Sequence, residues 1–295
     1  MKYRHVHHAG NFADVHKHVT LLALLAALQR KDKGFLYLET HAGRGAYELP
    51  KAGGESAAGI GRFEAWLGAQ KGSVAEELRD YGERVQRLRR DFGAPRLYPG
   101  SPLLAASALR PQDRAVLIEQ LPAEARALEK ALPHFGARAT RLRVETGDGF
   151  ERLRGCLPPA LRRGLTFIDP PYEETRRDFE RVRHAAAEAL RRFRTGVIAI
   201  WYPIKDARDT RAWQSALAAD LAGDLAGDLA AEPGGERLAA ELSLYPSDSR
   251  VALNGSGMLI LNPPYQLAER MQMWLPQLYA CLDLGHGGGA GVRSF

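Results

Sequence analysis

Two hydrophobic rhythms alternate along the chain. From residue 13 to 30 the apolar positions recur with a helical period, and Gly34 ends that run. Phe35-Leu36-Tyr37-Leu38-Glu39 follows as a short apolar strand, and Thr40-His41-Ala42-Gly43-Arg44-Gly45 as a glycine-rich turn directly after it. Between residues 50 and 97 the alternation breaks: the pattern predicts helices at 60–70 and 74–90 and no strand. It resumes with a helix at 102–109, a strand at 115–119, a proline-led helix at 122–132, a strand at 140–145 and a short helix at 150–157. Gly164-Leu165-Thr166-Phe167-Ile168 reads as a buried strand, 179–194 as a helix, and 196–201, 238–245 and 257–262 as further strands. This alternation predicts an α/β fold, a doubly wound and mainly parallel sheet of seven strands with a helical insert at 50–97. No convincing helix joins the last two strands, so the final one is expected to run antiparallel. An Asp-Leu-Ala-Gly repeat at 220–230 reads as a lengthened helix end or loop, to which no function is assigned.

Composition adds little until charge is counted. The 295 residues suffice for a sizeable core, and Lys+Arg exceed Asp+Glu by 41 − 35 = 6, a basic balance that suits a polyanion such as nucleic acid. Cys156 and Cys281 are the only cysteines, too few and too far apart for a disulfide framework or a zinc site of the CxxC kind. The longest apolar run, 19–28, is far short of a membrane span. It lacks a clean cleavage site, so a cytoplasmic protein is expected.

The candidate chemistry gathers at strand ends. Asp169-Pro170-Pro171-Tyr172 follows the strand at 164–168, placing a carboxylate where open α/β sheets keep their ligand crevices. Two prolines fix the backbone and leave carbonyls without N–H groups of their own, and Tyr172 adds a flat ring. An acceptor, fixed carbonyls and a stacking ring suit an exocyclic amino group on a planar base. Glu119 ends another strand and could bind ribose hydroxyls; Gly147-Asp148 ends the next and could accept from an adenine amino group. Each has a plainer reading: a turn needing positive φ at Gly43 or Gly45, a solvated strand end at Glu119, a helix cap at Asp148. Four such ends in order carry more weight than any one.

This ordered set resembles an S-adenosylmethionine-dependent methyltransferase of the amino-group class, whose motif is [DNS]-PP-[YFW]. Further matches at Tyr3-Arg4-His5, His8-Ala9-Gly10-Asn11, Ala13-Asp14-Val15, Lys17-His18, Leu36-Tyr37-Leu38, Thr40-His41-Ala42-Gly43, Tyr98-Pro99-Gly100-Ser101-Pro102 and Arg163-Gly164 are similar to the 23S rRNA (adenine(2030)-N6)-methyltransferase family over nearly the whole chain. The resemblance implies a Rossmann-like methyltransferase domain (1–49 and 98–295) with an inserted helical subdomain (50–97) and a mobile tail (1–12) folding over the site. It implies S-adenosylmethionine held by His18, His41, Ser101, Glu119, Gly147 and Asp148. Asp169 would be the catalytic acceptor, with Pro170 and Tyr172 beside it and Tyr3, His5 and Lys17 supporting transfer. The implied partner is 23S ribosomal RNA, met by a monomer without metal or membrane.

Three features compete. His5, His7, His8, His16 and His18 crowd the first 18 residues, yet no acidic or thiol partner sits at ligand spacing, and the implied chemistry needs no metal. Asn262-Pro263-Pro264-Tyr265 also fits the amino-methyltransferase motif, but an antiparallel last strand would aim it away from the crevice. The arginines at 79, 84, 87, 89, 90, 176, 177, 181 and 183 suit phosphate contacts, or else solvated helix faces. The residues alone also admit a DNA adenine or protein-glutamine methyltransferase, a small-molecule methyltransferase, or a non-catalytic RNA-binding protein.

Overall fold

The computed structural model describes residues 8–51, 53–225, 236–249 and 251–295. Tyr3 and His5 lie outside the described residues, as do repeat positions 226–230. An eight-stranded sheet runs through the chain in the order β10-β8-β9-β7-β6-β1-β4-β5, where β1 is Leu36–Glu39, β4 Arg114–Glu119, β5 Leu142–Thr146, β6 Gly164–Ile168, β7 Val197–Ile204, β8 Arg237–Ser243, β9 Gly255–Leu261 and β10 Gly289–Ser294. β5, β4, β1, β6 and β7 pair in parallel; β9 runs antiparallel to both β7 and β8, and β10 antiparallel to β8. The expected antiparallel strand is therefore β9. The seven-strand expectation is corrected to eight, because β10 begins in a glycine-rich run that carries little strand signal.

The sheet's polarity creates the site. β4 and β5 lie to one side of β1, whereas β6 and β7 lie to the other. The order reverses between β1 and β6, and ligand crevices in open α/β sheets form beyond the carboxyl ends at such a reversal. β1, β6 and β9 are buried along their whole length, as strands covered on both faces should be.

One face is covered by α1 (Phe12–Gln29), α4 (Ser101–Ala108), α5 (Pro122–Ala131) and α9 (Leu267–Leu282), the other by α6 (Gly149–Cys156), α7 (Thr175–Arg192) and α8 (Ala207–Leu225). Asn11 starts α1 by accepting the Asp14 N–H at 3.0 Å. Nearly all of α1 is buried, since the sheet, the 50–97 segment and α9 surround it. α9 continues through Pro276, whose missing donor disguised this helix in the sequence.

Residues 50–97 leave and return through a short antiparallel pair, β2 (Ala46–Glu48) and β3 (Leu97–Pro99). Their helices, α2 (Arg62–Ala69) and α3 (Glu76–Asp91), bury Phe63, Tyr81, Val85 and Leu88 in the same apolar cluster as Leu24 and Trp274. Arg270 of α9 pairs with Glu77 at 2.7 Å and Glu76 at 3.1 Å, and Arg62 donates to the Cys281 carbonyl at 2.9 Å. Residues 9–11, the end of the expected tail, are buried, and the Gly10 carbonyl accepts from Ile60.

Candidate active site

Asp169 leaves β6 and meets Lys17 from α1. The Lys17 ammonium stands 2.6 Å from Asp169 Oδ2 and 2.8 Å from Asp14 Oδ1, and all three side chains are largely shielded from solvent. Asp14 Oδ2 accepts the Gly10 N–H at 2.9 Å. Burial pulls the Lys17 pKa down; the charges and hydrogen bonds of Asp14 and Asp169 outweigh it and hold the ammonium above the usual lysine range. Among the described residues, none donates to Asp169 Oδ1 or to the Pro170 carbonyl.

Tyr172 departs from the open stacking face that its position suggests. Its φ of 48° turns the residue inward, and the ring is 3% exposed. It packs at 5.0 Å on Phe179 and 5.6 Å on Trp201, and its hydroxyl donates to the Trp201 carbonyl at 2.6 Å. In this arrangement Tyr172 anchors the loop to β7.

A row of strand ends continues from Asp169. Glu39, at the end of β1, is fully buried; Ser101 Oγ at the start of α4 donates to its Oε1, while its Oε2 has no hydrogen bond of ordinary geometry among the described residues. Burial pushes Glu39 up to about 8, although Ser101 and Tyr37 pull against it. Glu119, at the end of β4, accepts the Gly43 N–H at 2.8 Å and the Leu121 N–H at 2.7 Å. Burial raises its pKa despite those donors. Gly43 holds φ at +63°, and a Cβ there would lie 2.4 Å from the Tyr47 hydroxyl, so this turn requires glycine.

The Gly147 N–H donates to the Glu119 carbonyl, bringing the next end alongside. Asp148 caps α6 through Phe150 N–H at 2.9 Å and pairs with Arg181 at 2.5 Å. Burial pushes this carboxyl up, but Arg181 and the helix N–H groups prevail and hold it low. Cap and site readings of Asp148 are thus compatible. His41 packs edge-on against Phe150 at 4.8 Å and hydrogen-bonds Thr40 Oγ1 at 2.8 Å; burial lowers it to about 4, so it is neutral near pH 7. His18 is buried against Tyr98, its Nδ1 2.9 Å from the hydroxyl.

Of the residues singled out in the sequence, Lys17 and Asp169 touch directly, while His41, Glu119, Gly147 and Asp148 line the ends of β1, β4 and β5. Glu39, Asp14 and Trp201 were not singled out. Glu39 carried the same signal as Glu119, an acid closing an apolar strand. Asp14 and Trp201 matter through contacts that have no local signature. The arginines divide: Arg84 is held by Asp80, Arg89 by Glu64, Arg177 by Glu174, Arg181 by Asp148 and Arg183 by Asp220, whereas Arg79, Arg87, Arg90 and Arg176 are exposed without a recorded ion pair.

The second proline motif lies at the opposite end of the sheet. Leu261 registers with Ile198 near the start of β7, and Asn262 Nδ2 donates to the carbonyls of Arg194 and Gly196. Among the described residues no group of three or more His, Cys, Asp or Glu side chains could hold a metal, and no helix is long and apolar enough to cross a membrane.

The residues fit an adenosine cofactor bearing a positive charge. Glu39 offers a buried, unsatisfied oxygen, Glu119 and Asp148 offer acceptors at adjacent strand ends, and the Gly43 turn leaves backbone rather than side chain at the rim. Comparison with known proteins identifies the family. Residues 32–292 match the family described as ribosomal RNA large subunit methyltransferase D, RlmJ. Ribosomal RNA large subunit methyltransferase J of Escherichia coli K12 is 38% identical over 286 residues, covering 96% of this chain and 94% of that protein. The Haemophilus influenzae protein of the same name is 36% identical, covering 94% and 92%. The crystal structure of a Legionella pneumophila protein superposes with a TM-score of 0.82 at 33% identity, covering 97% of this chain and 98% of that one. The chain belongs to the RlmJ family of ribosomal RNA large subunit methyltransferases.

Proposed function

We propose that the protein transfers a methyl group to the N6 amino group of an adenine in 23S ribosomal RNA, with Asp169 and Pro170 as the acceptors that orient that amino group. The observation that carries this reading is the Asp169 carboxylate, fixed through Oδ2 by Lys17 while Oδ1 and the neighbouring carbonyl stay open. S-adenosylmethionine, when bound, supplies an electrophilic methyl on sulfur. Glu39, Ser101, His18, His41, Glu119, Gly147 and Asp148 are the residues that would hold it.

Adenine N6 is a poor nucleophile because its lone pair is delocalised into the ring. Two acceptors on its two N–H bonds favour a more tetrahedral nitrogen, and rigid placement supplies much of the rate. Lys17 keeps one carboxylate oxygen occupied, so Asp169 presents a single defined acceptor. Tyr172 fixes the loop that carries both acceptors. The target base must leave its stack to reach a site at the strand ends. A ribosomal RNA substrate supports a cytoplasmic location.

Transfer of tritium from labelled S-adenosylmethionine to 23S ribosomal RNA, with mapping of the modified nucleotide, tests the reading. Labelling of duplex DNA or of a glutamine-bearing protein in preference to the RNA would replace it.

Two further results are expected. The exposed Arg87 and Arg90 lie on α3 of the 50–97 segment, which serves here as an RNA-binding subdomain. Reversing both charges should weaken RNA binding and reduce the salt slope by about 2 log units per log unit. An unchanged slope in filter binding would remove this surface. Glu39 makes stability depend on pH. Its pKa is raised in the folded state, so its contribution is complete below about 4.5 and lost as pH rises through about 8. Glu39→Gln should therefore become progressively more stable than the wild type between pH 5 and 8.5, by about a few kcal/mol at the upper end, while binding the cofactor more weakly.

A further inference from the structure

Asp169 and Trp201 come one step after Ile168 and Ile200, the last registered pair of β6 and β7. Side chains at matching positions share one face of the sheet, and here that face meets α1. The Lys17 ammonium stands 5.4 Å from the centroid of the indole. The indole N–H donates to Ser256 Oγ on β9 at 2.9 Å, and the same oxygen lies 2.9 Å from His16 Nδ1 on α1. Burial lowers His16 to about 3, leaving it neutral and able to accept from the serine hydroxyl. The Trp201 carbonyl receives the Tyr172 hydroxyl.

We propose that Trp201 is the positioning residue for the acceptor: its side chain, locked by Ser256 and His16, sets the place of Lys17 through its ring face and steadies the Asp-Pro-Pro-Tyr loop through its contact with the Tyr172 ring, while its main-chain carbonyl holds the Tyr172 hydroxyl. This rests on the amino-methyl transfer assigned above. Without a wall, an ammonium on a flexible four-carbon stem can reach Asp14 and Asp169 from several directions. The indole closes one side, and the attraction of a cation to a tryptophan face keeps Lys17 between the two acids. Fixing the indole through its N–H matters because a ring free to rotate would not keep that face toward Lys17. Trp201 acts through Lys17 and Tyr172, so its loss should slow transfer without loosening either substrate.

The test compares Trp201→Phe, Trp201→Leu and Ser256→Ala using tritiated S-adenosylmethionine and a 23S ribosomal RNA transcript. Trp201→Leu removes ring and N–H; its kcat should fall by about a hundredfold, the cost of misplacing a group by roughly an ångström. Trp201→Phe keeps an aromatic face and should recover most of that loss. Ser256→Ala leaves the indole in place but unpinned, just as Trp201→Phe leaves a ring without its N–H, so the two should lose about equally and less than Trp201→Leu. Cofactor and RNA dissociation constants should stay within about twofold of wild type in all three. Combining Trp201→Leu with Lys17→Met should give no further loss beyond Lys17→Met alone, because the two act in series. If Trp201→Leu does not fold, the phenylalanine and serine variants decide, since each keeps an aromatic ring in place. A wild-type kcat in Trp201→Leu, equal losses in the leucine and phenylalanine variants, a loss explained by weaker binding, or additive losses in the double variant would each overturn the proposal. Asp169→Ala serves as the control: activity retained there defeats the underlying reading instead.

Discussion

Asp169→Ala is expected to lower kcat by about a thousandfold and to leave cofactor affinity within a few-fold of wild type. The size follows from what is removed. The carboxylate supplies one of two acceptors for the amino group, and nothing described beside it can replace Oδ1. Binding should survive because the acids at 39, 119 and 148 sit on other strands, held by their own backbone and side-chain partners. Single-turnover methyl transfer with equilibrium binding of labelled cofactor checks both halves. A variant that loses binding and rate together would mean that Asp169 belongs to the cofactor pocket rather than to the acceptor.

The second large effect concerns stability. Lys17→Met leaves two buried carboxylates, Asp14 and Asp169, facing each other with no cation between them. Removing one partner from a buried ionic cluster costs about 3–5 kcal/mol, so the melting temperature should fall by roughly 10 °C at neutral pH. Adding Asp14→Asn should restore part of that loss, because one of the stranded charges disappears. Thermal melts of the single and double variants decide it; an unchanged melting temperature for Lys17→Met would show that water already compensates these acids. Activity should not return with stability, since Asp169 would still lack its fixed partner.

Much of this architecture was legible in the sequence because β1, β4, β6 and β7 are covered on both faces and read as apolar runs, each closed by a chemically distinctive residue or turn. The antiparallel β9 was legible too, from the lack of a crossover helix before it. What escaped has physical reasons. β10 is mostly small and exposed, so it buries too little to leave a pattern. The Pro276 within α9 looks like a stop, yet neighbouring turns carry the helix through. Lys17 reads as an interruption in an apolar helix, and its partner lies 152 residues away. The burial of Tyr172 depends on a left-handed backbone that no non-glycine residue advertises. Trp201 sat inside a strand that was correctly placed, but its indole contacts depend on register and on a serine from β9.

The docking of α1 onto β7 and β9 has a consequence for synthesis. Helix α1 is buried almost all round, and part of its seat is built from residues near 200 and near 256. Until β9 emerges, only the faces that meet α3 and α4 can be covered, and a nascent chain carries the sheet-facing side exposed through most of its translation. A chain halted before residue 255 would keep that side bare, and such fragments are natural clients for chaperones that grip apolar helices.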